Sequence, residues 1–357
     1  MPKRIEVLVV DDSAYMRKVV SNLLQSDENI VVIDTARDGL DALEKIKSLK
    51  PAVVTLDVEM PRLDGLSALK RIMKECPTPV IMLSSLTQQG SDTTVKALTL
   101  GAVDFVGKPS GTISIDIHKV QEELIAKVKV AARAVVSNFR SSVMLGIQKS
   151  VVSSAPSSGV HPNKLVVIGS STGGPNALQQ VISRLPGNLP AAVLIVQHMP
   201  PAFTKSLAAR LNDISELEVY EAQEGDELMN GRAYVAPGGY HMILRSKNLI
   251  GLNQDRPVHS VRPAVDVTLE SAVDFYGPNT VGVILTGMGF DGSKGASLVK
   301  QAGGKMIVQD EATCVVYGMP RVVVEMGKAD KVLPIQNIAN EIVLILSLLK
   351  ESDIHSI

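Results

Sequence analysis

The segment Val166-Val167-Ile168-Gly169-Ser170-Ser171-Thr172-Gly173-Gly174 sets a serine, Ser171, in a glycine-flanked turn directly after a short apolar run. A turn from strand to helix exposes such a hydroxyl, and free N–H groups at the start of the next helix can donate to an oxyanion. Acyl-transfer chemistry is therefore the first expectation. A serine is a weak nucleophile unless a general base takes its proton, and that base needs a carboxylate to orient it. There are six histidines. His118 falls in the last helix of the first half, His161 in a linker and His355 near the C-terminus, positions that favour solvation. His198 closes the run Val193 to Gln197 and precedes Met199-Pro200-Pro201, which puts it at the carboxyl end of the strand following the serine's βα unit. His241, after Pro237-Gly238-Gly239-Tyr240, and His259, in a polar loop, are expected at most to line a cleft. Thr286-Gly287-Met288-Gly289-Phe290-Asp291-Gly292 follows the apolar run Val281 to Leu285, so Asp291 arrives at the same edge. Asp291 also reads as an N-cap for a helix beginning near Ser293, and both roles can coexist.

A second constellation lies in the first half. Asp11 and Asp12 follow a first strand, Asp57 ends a third and Lys108 follows a fifth, so all four converge on one sheet edge. Clustered carboxylates of this kind suit a hard cation such as Mg²⁺, which shares its shell with water and phosphoryl oxygens. Asp57 is then positioned to accept a phosphoryl group. A single aspartate after a strand would read equally well as a helix cap.

The elements that must carry these residues are legible as a rhythm. From Glu6 to about Arg133, Val7 to Val10, Ile30 to Ile33, Val53 to Leu56, Val80 to Leu83 and Asp104 to Val106 alternate with helical stretches, giving five βα units. That alternation predicts a parallel, doubly wound sheet with its site beyond the carboxyl ends of the strands. Between about Asn138 and Asn163 the composition turns to Ser, Val, Gly and Pro, notably over 150–159, and reads as a linker. An α/β pattern then resumes, with strands near Leu165 to Ile168, Ala192 to Gln197, Tyr234 to Ala236, Val281 to Leu285 and Met306 to Val308. The division expected is 1–135, a linker at 136–163, and 164–357.

Size and charge fit two soluble α/β domains. The chain has 357 residues, more than one core usually supports, and a net charge of −1 from 36 basic and 37 acidic residues. That balance gives no basic footprint for nucleic acid. Cys76 and Cys314 lie far apart in sequence, without the paired spacing of a zinc site or the density of a disulfide framework. With no signal-like N-terminus and no apolar run of spanning length, a cytoplasmic location without membrane insertion is expected. The 13 methionines read as core filler.

Residues 5 to about 125 resemble a two-component response-regulator receiver domain, through Asp11-Asp12, Asp57 with Met60-Pro61, Ser84 and Lys108-Pro109. The resemblance implies a flavodoxin-like (βα)5 fold, with Asp57 as phospho-acceptor and Mg²⁺ held by Asp12, Asp57 and the Glu59 carbonyl, and by Asp11 largely through water. Lys108 would partner the phosphoryl group, Ser84 would sense it, and Phe105 would report Ser84's movement; core packing is the other reading of Phe105. Residues from about 164 to 350 resemble the catalytic domain of chemotaxis protein-glutamate methylesterases. The carriers are Gly169-x-Ser171-Thr172-Gly173-Gly174, Gln197-His198-Met199-Pro200, Ala236-Pro237-Gly238, Arg262-Pro263-x-Val265-Asp266, Leu285-Thr286-Gly287-Met288-Gly289 and Gly318-Met319-Pro320. That family implies Ser171 as nucleophile, His198 as base and then acid, Asp291 as orienting carboxylate, the Met288 N–H as oxyanion donor and Thr172 in support. Ser170 stands where the family more often has alanine. Val261 stands where some relatives carry histidine, with His259 two residues earlier. The order Ser, His, Asp differs from that of α/β-hydrolases, although Gly169-x-Ser171-x-Gly173 fits their elbow formally.

Together the resemblances imply a phosphorylation-activated hydrolase of glutamate γ-methyl esters on methyl-accepting chemoreceptors, and a glutaminase on selected receptor glutamines. Its phosphodonor would be a chemotaxis histidine kinase, and ester hydrolysis would need no cofactor. The unphosphorylated receiver is expected to block the catalytic edge. The alternative is a response regulator with a non-catalytic binding module, Gly169 to Gly174 cradling a phosphate. The stretch lacks both Gly-x-Gly-x-x-Gly and a P-loop ending, and the long strand-rich second half does not fit a helix-turn-helix output.

Overall fold

The computed structural model describes residues 4–85, 87–108, 117–134 and 160–349. Pro109, the run 150–159, most of the expected linker and His355 lie outside them. The chain divides into two compact units, 1–146 and 147–357.

In the first unit short apolar runs build five strands, β1 Ile5–Val10, β2 Ile30–Ala36, β3 Val53–Asp57, β4 Val80–Ser84 and β5 Asp104–Gly107, of which β3 and β4 are wholly buried. They pair in parallel in the order β2-β1-β3-β4-β5. The helices between them are α1 Ala14–Gln25, α2 Gly39–Leu49, α3 Gly65–Glu75 and α4 Gln88–Thr99, and α5 Ile117–Ala131 follows the last strand. Side chains start four of them: Ser13, Asp38, Asp64 and Thr87 each accept from an N–H in the first turn. The strand order reverses beside β1, so the ends of β1 and β3, carrying Asp11 and Asp57, border the crevice where such sheets bind ligands.

The second unit holds a seven-stranded, wholly parallel sheet in the order β14-β13-β12-β6-β7-β9-β8. Its strands are β6 Leu165–Ser170, β7 Ala192–Gln197, β8 Glu218–Glu221, β9 Arg232–Val235, β12 Thr280–Ile284, β13 Lys305–Gln309 and β14 Lys331–Leu333. The helices are α6 Gly174–Ile182, α7 Phe203–Ile214, α8 Val265–Tyr276, α9 Ser293–Gln301, α10 Met319–Glu325 and α11 Ile335–Leu348. The chain runs outward from β6 through β7 in one direction and later from β12 in the other, so the reversal falls between β6 and β12. An antiparallel hairpin, β10 His241–Ser246 and β11 Leu249–Asn253, is added outside the sheet. Thr268 and Ser271 of α8 tie β10 down through Met242 O and Leu244 N. The five expected strands of this unit are present with ends moved by one or two residues; β8, β10, β11 and β14 are additional. No helix among the described residues is long and apolar enough to cross a membrane.

Candidate active site

The end of β6 separates two adjacent serines. Ser170, the last residue of the strand, is fully buried and donates to Gln197 Oε1 at 2.7 Å. Ser171, one residue on, is only partly buried, and its hydroxyl makes no hydrogen bond among the described residues. Its backbone is held on every side. Ser171 N donates to Thr286 O at 3.1 Å, and Ser171 O accepts from Gly174 N at 2.7 Å and Gln197 Nε2 at 2.9 Å. At Gly174 a Cβ would lie 1.9 Å from Gln197 Oε1 and 2.9 Å from Ser170 Oγ, so a larger residue would have to displace the Gln197 amide.

Register brings His198 to the same edge. Ser170 pairs with Gln197 across the parallel β6 and β7, and His198 N donates to Ser170 O at 3.1 Å, so His198 emerges beside Ser171. Neighbouring strands lie about 4.8 Å apart, within reach of an imidazole. His198 Nε2 is 2.8 Å from Asp291 Oδ2. With the carboxylate accepting, the ring proton sits on Nε2, and Nδ1 is the nitrogen left to take a proton from a hydroxyl.

Asp291 is 2 % exposed and receives more than the histidine. Val265 N donates at 2.6 Å, Asp266 N at 3.0 Å and Gly292 N at 2.9 Å. The first two are the opening N–H groups of α8, a favourable place for a negative charge. Burial alone pushes the carboxyl up, but His198 and these backbone donors outweigh it and hold it below the usual carboxylate range. The capping role expected from sequence is thus displaced. Gly292 occupies the N-cap of α9 with no side-chain bond, and Asp291 caps α8, a helix earlier in the chain.

On the other flank of Ser171, Gly287 is wedged so closely that a Cβ would lie 2.9 Å from Ser171 Cβ. Its carbonyl accepts from Gly318 N and Met319 N. Met288 is 45 % exposed, and its N–H donates to no acceptor among the described residues, as an oxyanion donor requires. Thr172 is buried, and its carbonyl accepts from Thr286 Oγ1 at 3.0 Å.

The remaining histidines separate cleanly. His241 is 1 % exposed, accepts from Ala264 N on Nδ1 and faces Arg256 O with Nε2, so it supports the start of α8 and lines no cleft. Burial holds its imidazole below the ordinary value. His118 is exposed, and His161 is exposed while contacting Leu228 O at 3.1 Å. Gln197, which fixes both serines, and Asp266 were not assigned roles from sequence; a polar residue closing the wholly apolar run of β7 was the available signal for Gln197.

In the first unit Asp11 and Asp57 are buried, Asp12 is exposed, and carboxylate oxygens of all three lie within 4.8 Å of one another. Lys108 Nζ sits 2.7 Å from Asp57 Oδ1 and 3.0 Å from Asp11 Oδ2. Three carboxylates against one ammonium leave negative charge for a hard divalent cation, and Asp11 Oδ2 lacks an aligned hydrogen bond. Burial pushes the Asp57 carboxyl up to about 6, with Lys108 opposing and Asp11 adding to that push. Glu59 N approaches Asp57 Oδ1 at 3.4 Å. Ser84 is buried at the same edge, but its hydroxyl is engaged by Thr94 Oγ1 at 2.6 Å and by Ser85 O and Gly90 O. Phe105 is 4 % exposed, with Lys127 Nζ 5.0 Å from its ring centroid and 2.6 Å from its carbonyl oxygen.

Residues 7–118 match the response regulator receiver domain family and residues 166–342 the CheB methylesterase family. With the sites above, these matches define a response regulator whose output unit is an enzyme. A protein-glutamate methylesterase/protein-glutamine glutaminase of Symbiobacterium thermophilum is 54 % identical over 347 residues, 95 % of this chain and 96 % of its own. The corresponding protein of Thermotoga maritima is 48 % identical over 345 residues, 95 % and 98 % of the two chains. The crystal structure of the Thermotoga maritima CheB methylesterase catalytic domain superposes with a TM-score of 0.51 at 50 % identity, covering 52 % of this chain and 100 % of that one. The chain belongs to the protein-glutamate methylesterase/protein-glutamine glutaminase family.

Proposed function

We propose that the chain removes methyl groups from glutamate γ-methyl esters on chemoreceptors and converts selected receptor glutamines to glutamate, under control of phosphorylation at Asp57. The observation that carries the reading is the bond from His198 Nε2 to a buried Asp291, beside a Ser171 presented at the end of the adjoining strand. Ser171 Oγ attacks the ester carbonyl while His198 Nδ1 takes its proton. The tetrahedral oxyanion is met by the Met288 N–H. Collapse breaks the bond to methoxide, which leaves as methanol with the proton returned by His198. Water then attacks the acyl-serine, His198 again taking and returning the proton, and a glutamate carboxylate is released. With glutamine the leaving group is ammonia and the later steps are the same. Asp291 remains ionised throughout and fixes the ring.

In the receiver, Asp11, Asp12, Asp57 and the Glu59 carbonyl would hold Mg²⁺, which when bound neutralises phosphoryl oxygens. A chemotaxis histidine kinase is the proposed source of the phosphoryl group. Lys108 would then turn from Asp57's carboxylate to the new phosphoryl oxygens, and Ser84 would exchange its Thr94 partner for one of them, freeing space for Phe105. A serine-directed fluorophosphonate tests the nucleophile. Stoichiometric labelling is expected in wild type and in Ser170→Ala and absent in Ser171→Ala; labelling that follows Ser170 instead would contradict the assignment.

A further inference from the structure

His259 takes no part in that mechanism, yet the backbone holds it in an unfavourable conformation. His259 and Ser260 have φ of 52° and 65°, consecutive left-handed residues without a glycine. Val258 and Val261 close around them with two backbone hydrogen bonds of 3.1 and 3.0 Å, forming a tight two-residue turn. Turns with both central residues at positive φ favour Asn-Gly, and strain retained at such a place points to a side chain that must be presented there. The side chain so presented makes two contacts. Nε2 is 2.8 Å from Asp266 Oδ2, and the ring packs edge-on against Phe290 with centroids 4.4 Å apart.

Both contacts lead to the catalytic loop. Asp266 is 2 % exposed, its other oxygen accepts from Gly295 N at 2.7 Å, and its own N–H donates to Asp291 Oδ1. Phe290 precedes Asp291 directly, is 50 % exposed and has His259 as its ring partner. A continuous chain therefore runs His259, Asp266, Asp291, His198, while the Phe290 contact anchors the segment whose other end is Met288. Gly289 (φ 88°) lies within that segment and Gly292 (φ 91°) directly follows it, and two such residues leave its backbone pliant without outside support.

We propose that His259 is a positioning residue of the esterase, holding the 288–291 segment through Phe290 and Asp266 so that the Met288 N–H and the Asp291 carboxylate stay aligned with Ser171 and His198. The inference rests on the reading of those groups as the catalytic machinery. A residue acting this way supports the transition state more than substrate binding, so its loss appears in kcat.

The test measures kcat and KM for methanol release from methylated receptor by the full chain, with phosphodonor and Mg²⁺. The variants are Ser171→Ala, His259→Asn and Ser260→Gly, each with a melting curve. Asparagine tolerates the left-handed turn but is too short to span to Asp266 and lacks the ring, so His259→Asn is expected to melt near wild type. Its kcat is expected to fall roughly ten- to a hundredfold with KM within about threefold. Ser260→Gly, which relaxes the turn and keeps the imidazole, is expected to retain wild-type kcat. Unchanged kcat in a folded His259→Asn, a change confined to KM, or an equal loss in Ser260→Gly would overturn the inference while leaving the triad intact. Full release by Ser171→Ala would instead remove the reading on which it stands.

Discussion

Four donors converge on the Asp291 carboxylate, and three of them are backbone N–H groups that no side-chain substitution removes. This is why the carboxylate stays ionised although buried, and why it can hold an imidazolium during turnover. Asp57 is the opposite case, a buried carboxylate pushed up to about 6 chiefly by burial. Its folded value lies above its unfolded one, so the stability it contributes is complete below about pH 4 and is lost as pH rises through about 6. Raising the carboxyl from its ordinary value to about 6 corresponds to about 3 kcal/mol. In Mg²⁺-free buffer, Asp57→Asn is therefore expected to stabilise the receiver by up to about 3 kcal/mol at pH 8 and by almost nothing at pH 4, read from denaturant midpoints. A gain that grew towards low pH would contradict the assignment. Ser170 and Ser171 could be told apart only weakly in sequence, because both lie in the same glycine-flanked turn. The end of β6 decides between them: Ser170 is the strand's last residue and bonds Gln197, while Ser171 lies just beyond it.

At the scale of elements, the site depends on two strand ends and one helix start. The β6–β7 register brings His198 to Ser171, and α8 offers its first N–H groups to Asp291. The strands that carry chemistry were readable because most are short, buried, β-branched runs followed by polar or glycine residues. Those that escaped have other patterns: β8 carries a glutamate at each end, β14 has three residues and an exposed edge, and the β10–β11 hairpin turns at Lys247-Asn248 without a glycine. Asp291's true partner helix was not legible, since α8 precedes it and meets it only through tertiary packing. The Gly174 contact gives a prediction at this scale. Gly174→Ala would drive a Cβ into Gln197 and loosen both serines, with an expected destabilisation of ~1–3 kcal/mol and loss of most esterase activity. Thermal melting alongside methanol release checks it, and a variant unchanged in both would show that Gln197 is free to move aside.

For the whole molecule, the family relatives match across nearly the full chain, so receiver and esterase occur together in them as here. The proposed phosphorylation site and the proposed esterase site lie in separate units, 1–146 and 147–357, each at the reversal point of its own parallel sheet. Control then requires that charge added at Asp57 change the rate at Ser171. The most direct measurement is the initial rate of methanol release from methylated receptor by wild type, Asp57→Asn and Ser171→Ala, each with and without a small phosphodonor and Mg²⁺. Release that rises with phosphodonor in wild type, stays at the basal rate in Asp57→Asn and is absent in Ser171→Ala is the result expected. A phosphodonor response that persists in Asp57→Asn, or release that survives Ser171→Ala, would contradict a serine esterase switched at Asp57.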